Sequence, residues 1–299
     1  MHATVAITAA ASFVHLPALT TVACGGTEVD EAALATLPPG LESLDVRWCG
    51  GITVAASFAH LAALTTMDCD CTSVGDAFLA TLPQGVEQLS VCSCPGITAA
   101  ASFAHLRALT TVACSGTAVG DAALASLPRG LTRLDVANCS AITAAATFAQ
   151  LPALTAVVFS GTAVGNAALA TLPTCLEELC VEWCRGITAS VSFAHLPTLK
   201  KMKCKRTAVG DAALATLPPG MEELAMTDCR GITAAASFAH LPALQIMKCS
   251  RTVVGDEALT TLPRQLKELS IVGCYDITSN QNTLYARFPA VSLFSTAED

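Results

Sequence analysis

Fifteen cysteines and six histidines in 299 residues supply the side chains from which metal sites, redox pairs and nucleophilic centres are built. Their spacing points elsewhere. Five histidines (His15, His60, His105, His195, His240) occupy one recurring place, Phe-x-His-Leu, which Gln150 fills once. One imidazole per 45 residues assembles neither a triad nor a ligand set. It describes a solvated or hydrogen-bonded side chain on an outer wall. Eleven cysteines recur too, Cys49, Cys94, Cys139, Cys184, Cys229 and Cys274 at one place, Cys24, Cys69, Cys114, Cys204 and Cys249 at another. Copies of one column two coils apart are separated by about 10 Å, beyond the roughly 7 Å between Cα atoms that a disulfide allows. These thiols therefore read as small packing residues. Cys71, Cys92, Cys175 and Cys180 stand off the pattern. With Cys69 and Cys94, the first two spell a pair of C-x-C motifs, but Cys69 is expected to point inward and Cys71 outward, so four zinc ligands do not converge. A redox-labile contact between Cys71 and Cys92 is the chemical alternative. Phosphate-loop, nucleophile-elbow and H-E-x-x-H motifs are missing from the sequence. No metal, cofactor or catalytic residue is expected, and the chain reads as a non-enzyme.

Charged and aromatic residues gather instead in two places. One holds Asp45, Arg47, Trp48, Asp68 and Asp70. The other holds Glu178, Glu182, Trp183, Lys201, Lys203, Lys205, Arg206, Glu223, Asp228, Lys248 and Arg251. Trp and Arg are enriched where partners bind, and Trp183 is a candidate for a cation–π contact with Arg206. The competing reading is a solvated sheet stitched by cross-strand ion pairs, each contributing about 0–1 kcal/mol.

The elements that carry these residues follow from a 45-residue period. Gly96 to Leu106 returns almost unchanged at Gly231 to Leu241, and Asp121 to Pro128 returns at Asp211 to Pro218. Self-similarity at this spacing signals a solenoid or propeller. Each period splits into a 23-residue half, starting at Leu41, Val86, Leu131, Leu176, Met221 and Leu266, and a 22-residue half, starting at Leu19, Leu64, Leu109, Leu154, Leu199 and Leu244. Both halves fit L-x-x-L-x-L-x-x-N/C-x-L, with Thr at the ninth position of the shorter one.

This pattern resembles the leucine-rich-repeat family over nearly the whole chain. The longer half, as in Leu134 to Thr143, looks like the cysteine-containing subtype of F-box ubiquitin-ligase receptors. Leu217 to Leu224 is similar to bacterial effector repeats, and the alternation with Gly-Thr-x-Val-Gly-Asp resembles leucine-rich-repeat proteins of kinetoplastids. The resemblance implies an α/β solenoid, a horseshoe with a parallel sheet on its concave face and short helices or turns on the convex face. It also implies that the ninth-position cysteine bonds neighbouring backbone. Strand alternation turns positions four and six inward and three, five and seven outward. Thr53 is expected to cap a helical stretch through Phe58 to Leu61, and Asp76, Asp121 and Asp211 to cap the shorter half's helices.

Residues 1–18 read as an incomplete half-repeat, 19–278 as tandem repeats and 279–299 as a divergent cap, whose apolar Leu284, Tyr285, Phe288, Leu293 and Phe294 are placed to cover the last coil. The strand at Leu19 to Cys24 is left with an open edge, a route to self-association.

A net charge of −8 argues against nucleic-acid binding. No apolar run is long enough for a membrane span. The start lacks a basic n-region and recurs in mid-chain, so it is not an address signal, and with mostly reduced thiols the chain is expected in the cytoplasm. The expected partner is another protein, bound on the concave face where the repeats differ most. The alternatives are the substrate-recognition portion of a ubiquitin-ligase adaptor and a surface or secreted recognition protein, for which Asn138-Cys139-Ser140 is a formal glycosylation sequon.

Overall fold

The computed structural model describes residues 11–279, 281–289, 291, 294 and 295, arranged as two compact units, Met1–Ala153 and Leu154–Asp299. The first carries β1 (Thr21–Ala23), α1 (Glu31–Leu34), β2 (Ser43–Asp45), β3 (Thr66–Asp68), α2 (Asp76–Thr81), β4 (Gln88–Ser90), β5 (Thr111–Ala113), α3 (Asp121–Ala125) and β6 (Arg133–Asp135). Each strand pairs in parallel with the next, with Leu44 beside Met67 and Met67 beside Leu89. The second carries β7 (Ala156–Val158), α4 (Asn166–Leu169), β8 (Glu178–Cys180), β9 (Lys201–Lys203), α5 (Asp211–Leu214), β10 (Glu223–Ala225), β11 (Ile246–Lys248), α6 (Asp256–Thr260), β12 (Glu268–Ser270), α7 (Gln281–Arg287) and β13 (Phe294–Ser295). Its strands also pair in parallel and in chain order.

Strands of two or three residues and helices of four to seven residues are too short to persist alone. Stacking holds them. Positions four and six turn inward as expected, and Leu44, Val46, Met202 and Cys204 are buried while Arg47, Lys201 and Lys203 are exposed. Phe58, Phe103, Phe148, Phe193 and Phe238 are at most 1% exposed and fill the same layer of successive periods. Close stacking limits side-chain choice at the turns. A Cβ added to Gly96 would stand 2.6 Å from the Val74 carbonyl oxygen.

Two local expectations are corrected. The stretch from Thr53 to Leu61 is a pair of tight turns, closed by Ala56 N–H to Thr53 O and Leu61 N–H to Phe58 O, and not a helix. Ala56 and Phe58 are both buried, and residues two apart lie on opposite sides of a helix. Thr53 still accepts from the Ala55 N–H, which caps a single turn. The aspartates do not cap either. Gly75, Gly120 and Gly210 are the N-caps, and Asp76, Asp121 and Asp211 are the first helical residues. There they suit the positive helix end and reach to the next coil, where Asp76 accepts from both Thr98 N–H (2.9 Å) and the Thr98 hydroxyl. Asp121 and Asp211 hold Thr143 and Thr233 in the same way. Asp30 is a side-chain cap, accepting from Ala33 N–H.

In the 279–299 segment, Leu284 and Phe288 are buried, Tyr285 is 45% exposed, and β13 pairs Phe294 with Leu269. Leu293 and residues 1–10 lie outside the described residues. Among the described residues β1 pairs with β2 alone.

Candidate functional site

The cysteines and histidines are structural in this arrangement. Each ninth-position thiol donates to the carbonyl of the sixth-position residue in the preceding coil, as Cys49 to Cys24 (3.2 Å), Cys94 to Cys69 (3.1 Å), Cys184 to Phe159 (3.2 Å) and Cys274 to Cys249 (3.0 Å). The threonine of the ninth position in the shorter half bonds the same carbonyl from within its own coil, as Thr72 to Cys69. Burial pushes the Cys24 thiol up to about 12 and raises that of Cys69 well above its usual value. These inward thiols stay protonated and unreactive, whereas the bond to the inward thiol lowers the ninth-position Cys94 and Cys139 to about 7 and Cys274 to about 6. All fifteen cysteines are free. Cys71 and Cys92 adjoin through backbone, Cys71 N–H to Cys92 O at 2.8 Å, while the Cys92 sulfur faces the Ser90 hydroxyl at 3.6 Å. The described residues hold no contact between the two sulfurs, and no group of three His, Cys, Asp or Glu side chains converges as a metal site.

Two of the histidines stitch coil to coil. His195 Nε2 lies 3.1 Å from Leu169 O and His240 Nε2 3.0 Å from Leu214 O, each carbonyl closing a short helix. Gln150 Nε2 donates to the equivalent Leu124 O at 3.2 Å, so an N–H is what the place requires. Arg287 Nε serves α6 in the same way, at Leu259 O. The buried Nε2 of His105 is left without a partner.

The charged rows come together in the second unit. Parallel register sets Glu178 beside Lys201 and Lys201 beside Glu223. Lys201 Nζ bonds Glu178 at 2.8 Å, which raises its pKa, and Glu223 is met diagonally by Lys203 at 3.8 Å. Lys200 meets Glu177 (3.0 Å), Arg206 meets Asp228 (3.1 Å) and Lys248 meets Glu268 (3.0 Å). The Arg206 guanidinium lies 4.2 Å from the Trp183 ring centre and Lys205 Nζ 5.9 Å from it. Lys205 thus turns to the indole, and no ion pair joins it to Glu182 among the described residues.

The first-unit patch is tied inward. Arg47 chelates Asp45 through Nε (3.0 Å) and Nη2 (2.8 Å) and reaches Asp68 at 3.3 Å. Burial opposes ionisation of Asp45, but the bonds from Arg47 outweigh it and hold the carboxyl below its usual range. Burial, with Asp70 and Asp45 close by, raises that of Asp68. Asp70 accepts from the Ser90 hydroxyl and the Cys92 N–H, both at 2.6 Å. Trp48 is 68% exposed, and no cation covers its ring among the described residues.

A feature the sequence reading missed links both patches. The eighth residue of every coil has a positive φ. Gly26, Gly116, Gly161 and Gly273 fill it four times; Trp48 (61°), Cys71, Ser93, Asn138, Trp183 (64°), Arg206 (55°), Asp228 (58°) and Arg251 (56°) fill the rest. Left-handed backbone costs an ordinary residue about 1–2 kcal/mol, and glycine little. Glycine four times and asparagine once in a single column was the sequence signal for it. Only in the second unit do four non-glycine residues in succession, Trp183, Arg206, Asp228 and Arg251, accept that strain. Arg185 and Arg230, two residues beyond Trp183 and Asp228, were also missed. They join Trp183, Ile187, Arg206 and Asp228 around a cavity of about 690 Å³.

No protein-family model and no curated protein sequence matches this chain. Solved structures do. An internalin from Listeria monocytogenes superposes with a TM-score of 0.65 at 15% identity, covering 95% of this chain and 88% of that one. A leucine-rich-repeat protein of Leptospira interrogans gives 0.64 at 12% identity, over 95% and 74%. The TLR13–ssRNA13 complex gives 0.57 at 16% identity, over 94% of this chain and 40% of that one. At these identities what is shared is the fold, a leucine-rich-repeat solenoid, as the repeat pattern implied. Among the described residues no helix is long and apolar enough to cross a membrane.

Proposed function

We propose that this leucine-rich-repeat solenoid is a non-catalytic scaffold that recognises another protein on its outward sheet face, with the second-unit rows around Trp183, Lys201, Lys203, Lys205 and Arg206 as the principal contact. The observation that carries it is the strained column. Four successive large or charged residues hold left-handed backbone where other coils of the same chain use glycine. Strain kept at one place, against a cheaper residue the chain uses elsewhere, is commonly a mark of function. An aromatic ring with a guanidinium over it is the kind of anchor that dominates protein interfaces, and parallel sheets are usually covered on both faces. Here Lys201 and Lys203 stand exposed on one. The proposal includes a reducing, cytoplasmic setting, supported by fifteen free thiols.

The test is capture from a lysate of the source cell, with the native chain as bait beside Lys201→Glu/Lys203→Glu/Lys205→Glu, both confirmed folded by circular dichroism. A protein retained by the native chain and lost with the variant supports the reading. Equal retention moves the contact off these rows, and absence of any specific protein leaves them as sheet stitching.

A further inference from the structure

The cavity at the rim of the second unit carries an excess of positive charge that the fold does not demand. It lies just past the C-terminal ends of β8, β9 and β10, lined by Trp183, Arg185, Ile187, Arg206, Asp228 and Arg230. Three arginines thus line about 690 Å³ of space with a single acidic residue among the lining residues, in a chain of net charge −8. Asp228 is occupied by Arg206 at 3.1 Å, and Arg206 also covers the Trp183 ring. Arg185 and Arg230 have neither a carboxylate nor a hydrogen-bond acceptor among the described residues. Both side chains are exposed, Arg185 one coil before Arg206 and Arg230 one coil after it, in the coil of Asp228. The column they belong to reads Gly50, Pro95, Ser140, Arg185, Arg230 and Tyr275 through successive periods. A position that accepts glycine, proline, serine or tyrosine is not filled by arginine for packing. Two unpaired planar forks beside an indole and Ile187 match a ligand with paired oxyanions next to an apolar group. A long polyanion fits less well, because Glu182 and Glu222 adjoin the trough with no ion pair among the described residues and would repel its continuation.

We propose that this trough binds an acidic segment of a partner protein, with Arg185 and Arg230 gripping two oxyanions, either carboxylates or a phosphate, and Trp183 supporting the residue between them. The inference rests on the reading of the chain as a protein-recognition scaffold and names the chemistry of what it recognises.

The probe is a short fluorescein-labelled peptide with a central Glu-Asp-Glu run, compared by anisotropy with a phosphoserine version and a neutral Gln-Asn-Gln version. The full chain is titrated beside Arg185→Ser/Arg230→Ser and beside Lys201→Glu/Lys203→Glu. Serine already stands in this column as Ser140, so the first variant keeps the fold. The expected result is binding of the charged peptides, none of the neutral one, and a loss of about tenfold for each arginine removed. The tighter of the two charged peptides identifies the oxyanion. Equal binding by the arginine variant overturns the trough, as does binding of the neutral peptide or no binding at all. So does a labelled oligouridylate that outcompetes both peptides and depends on the same arginines. If binding is lost instead with Lys201→Glu/Lys203→Glu, the trough fails while the sheet-face reading above stands.

Discussion

Trp48 and Trp183 occupy the same place in the 45-residue period, both with left-handed backbone, yet their surroundings exchange sign. Where the first unit has Arg47, Asp68 and Asp70, the second has Glu182, Lys203 and Lys205. Where Cys71 follows Trp48 in the next coil, Arg206 follows Trp183 and lies over its ring. Trp48 is accordingly 68% exposed and Trp183 44%. The inward residues barely differ, since Met67 and Met202 fill equivalent core places at 1% and 0% exposure. The stack fixes what faces in, and leaves the outward column free to carry either sign or a glycine.

That comparison can be broken most forcefully through the core. Met67→Ala and Met202→Ala should each lower unfolding free energy by about 2–5 kcal/mol, measured by urea titration. A large inequality would mean that the two units differ in more than their surfaces.

The next effect is strain. Trp48→Gly should stabilise the chain by about 1 kcal/mol by relieving left-handed backbone. Trp183→Gly relieves the same strain but gives up the Arg206 contact, about 0.5–1 kcal/mol, and should come out near zero. If Trp48→Gly destabilises instead, the strain argument for the second-unit site fails with it.

Transplanting the partner sharpens the contrast further. Cys71→Arg puts a guanidinium beside Trp48 in backbone already left-handed. In a Trp183→Phe background it should shift Trp48 fluorescence and add about 0.5 kcal/mol. No spectral change would show that Asp228, which holds Arg206 and is replaced by Ser93 in the first unit, is needed to aim the cation.

The smallest expected difference is in acid response. Asp68 has a folded pKa raised by burial, so its charged form costs stability at neutral pH, and that cost disappears as pH falls through the folded value. Asp68→Asn should therefore stabilise at neutral pH and not in acid. For Asp256 burial is outweighed by bonds from Thr278 and Ser279, which lower its pKa. Its contribution is present above the unfolded value and is lost as pH falls through the folded one. Asp256→Asn should destabilise at neutral pH and flatten the acid limb of the melting curve. Slopes of the same sign in both variants would contradict the two assignments.

Much of this was legible in the residues. The alternation of Leu44, Val46 and their copies dictates strands with one buried face, and the cation–π pair of Trp183 and Arg206 followed from aligning equal positions of adjacent coils. The helical stretch expected through Phe58 to Leu61 is a pair of turns because a threonine cap, with a proline after the stretch in most copies, looks alike around a helix and around tight turns; only the burial of both Ala56 and Phe58 separates them. The aspartate caps failed for a related reason. A carboxylate at the first turn has two donors in reach, and the Thr98 pair on the next coil is invisible until coils are stacked.

The sequence by itself determined the period, the inward residues and the order of the outward rows, because a repeat that buries one face must return the same residue types at the same spacing. Tertiary structure alone decided which charges pair and that Arg185 and Arg230 meet around one cavity. Those are matters of ångströms between neighbouring coils. Pairing depends on side-chain reach across the stack, and convergence at a rim is not encoded in spacing along the chain.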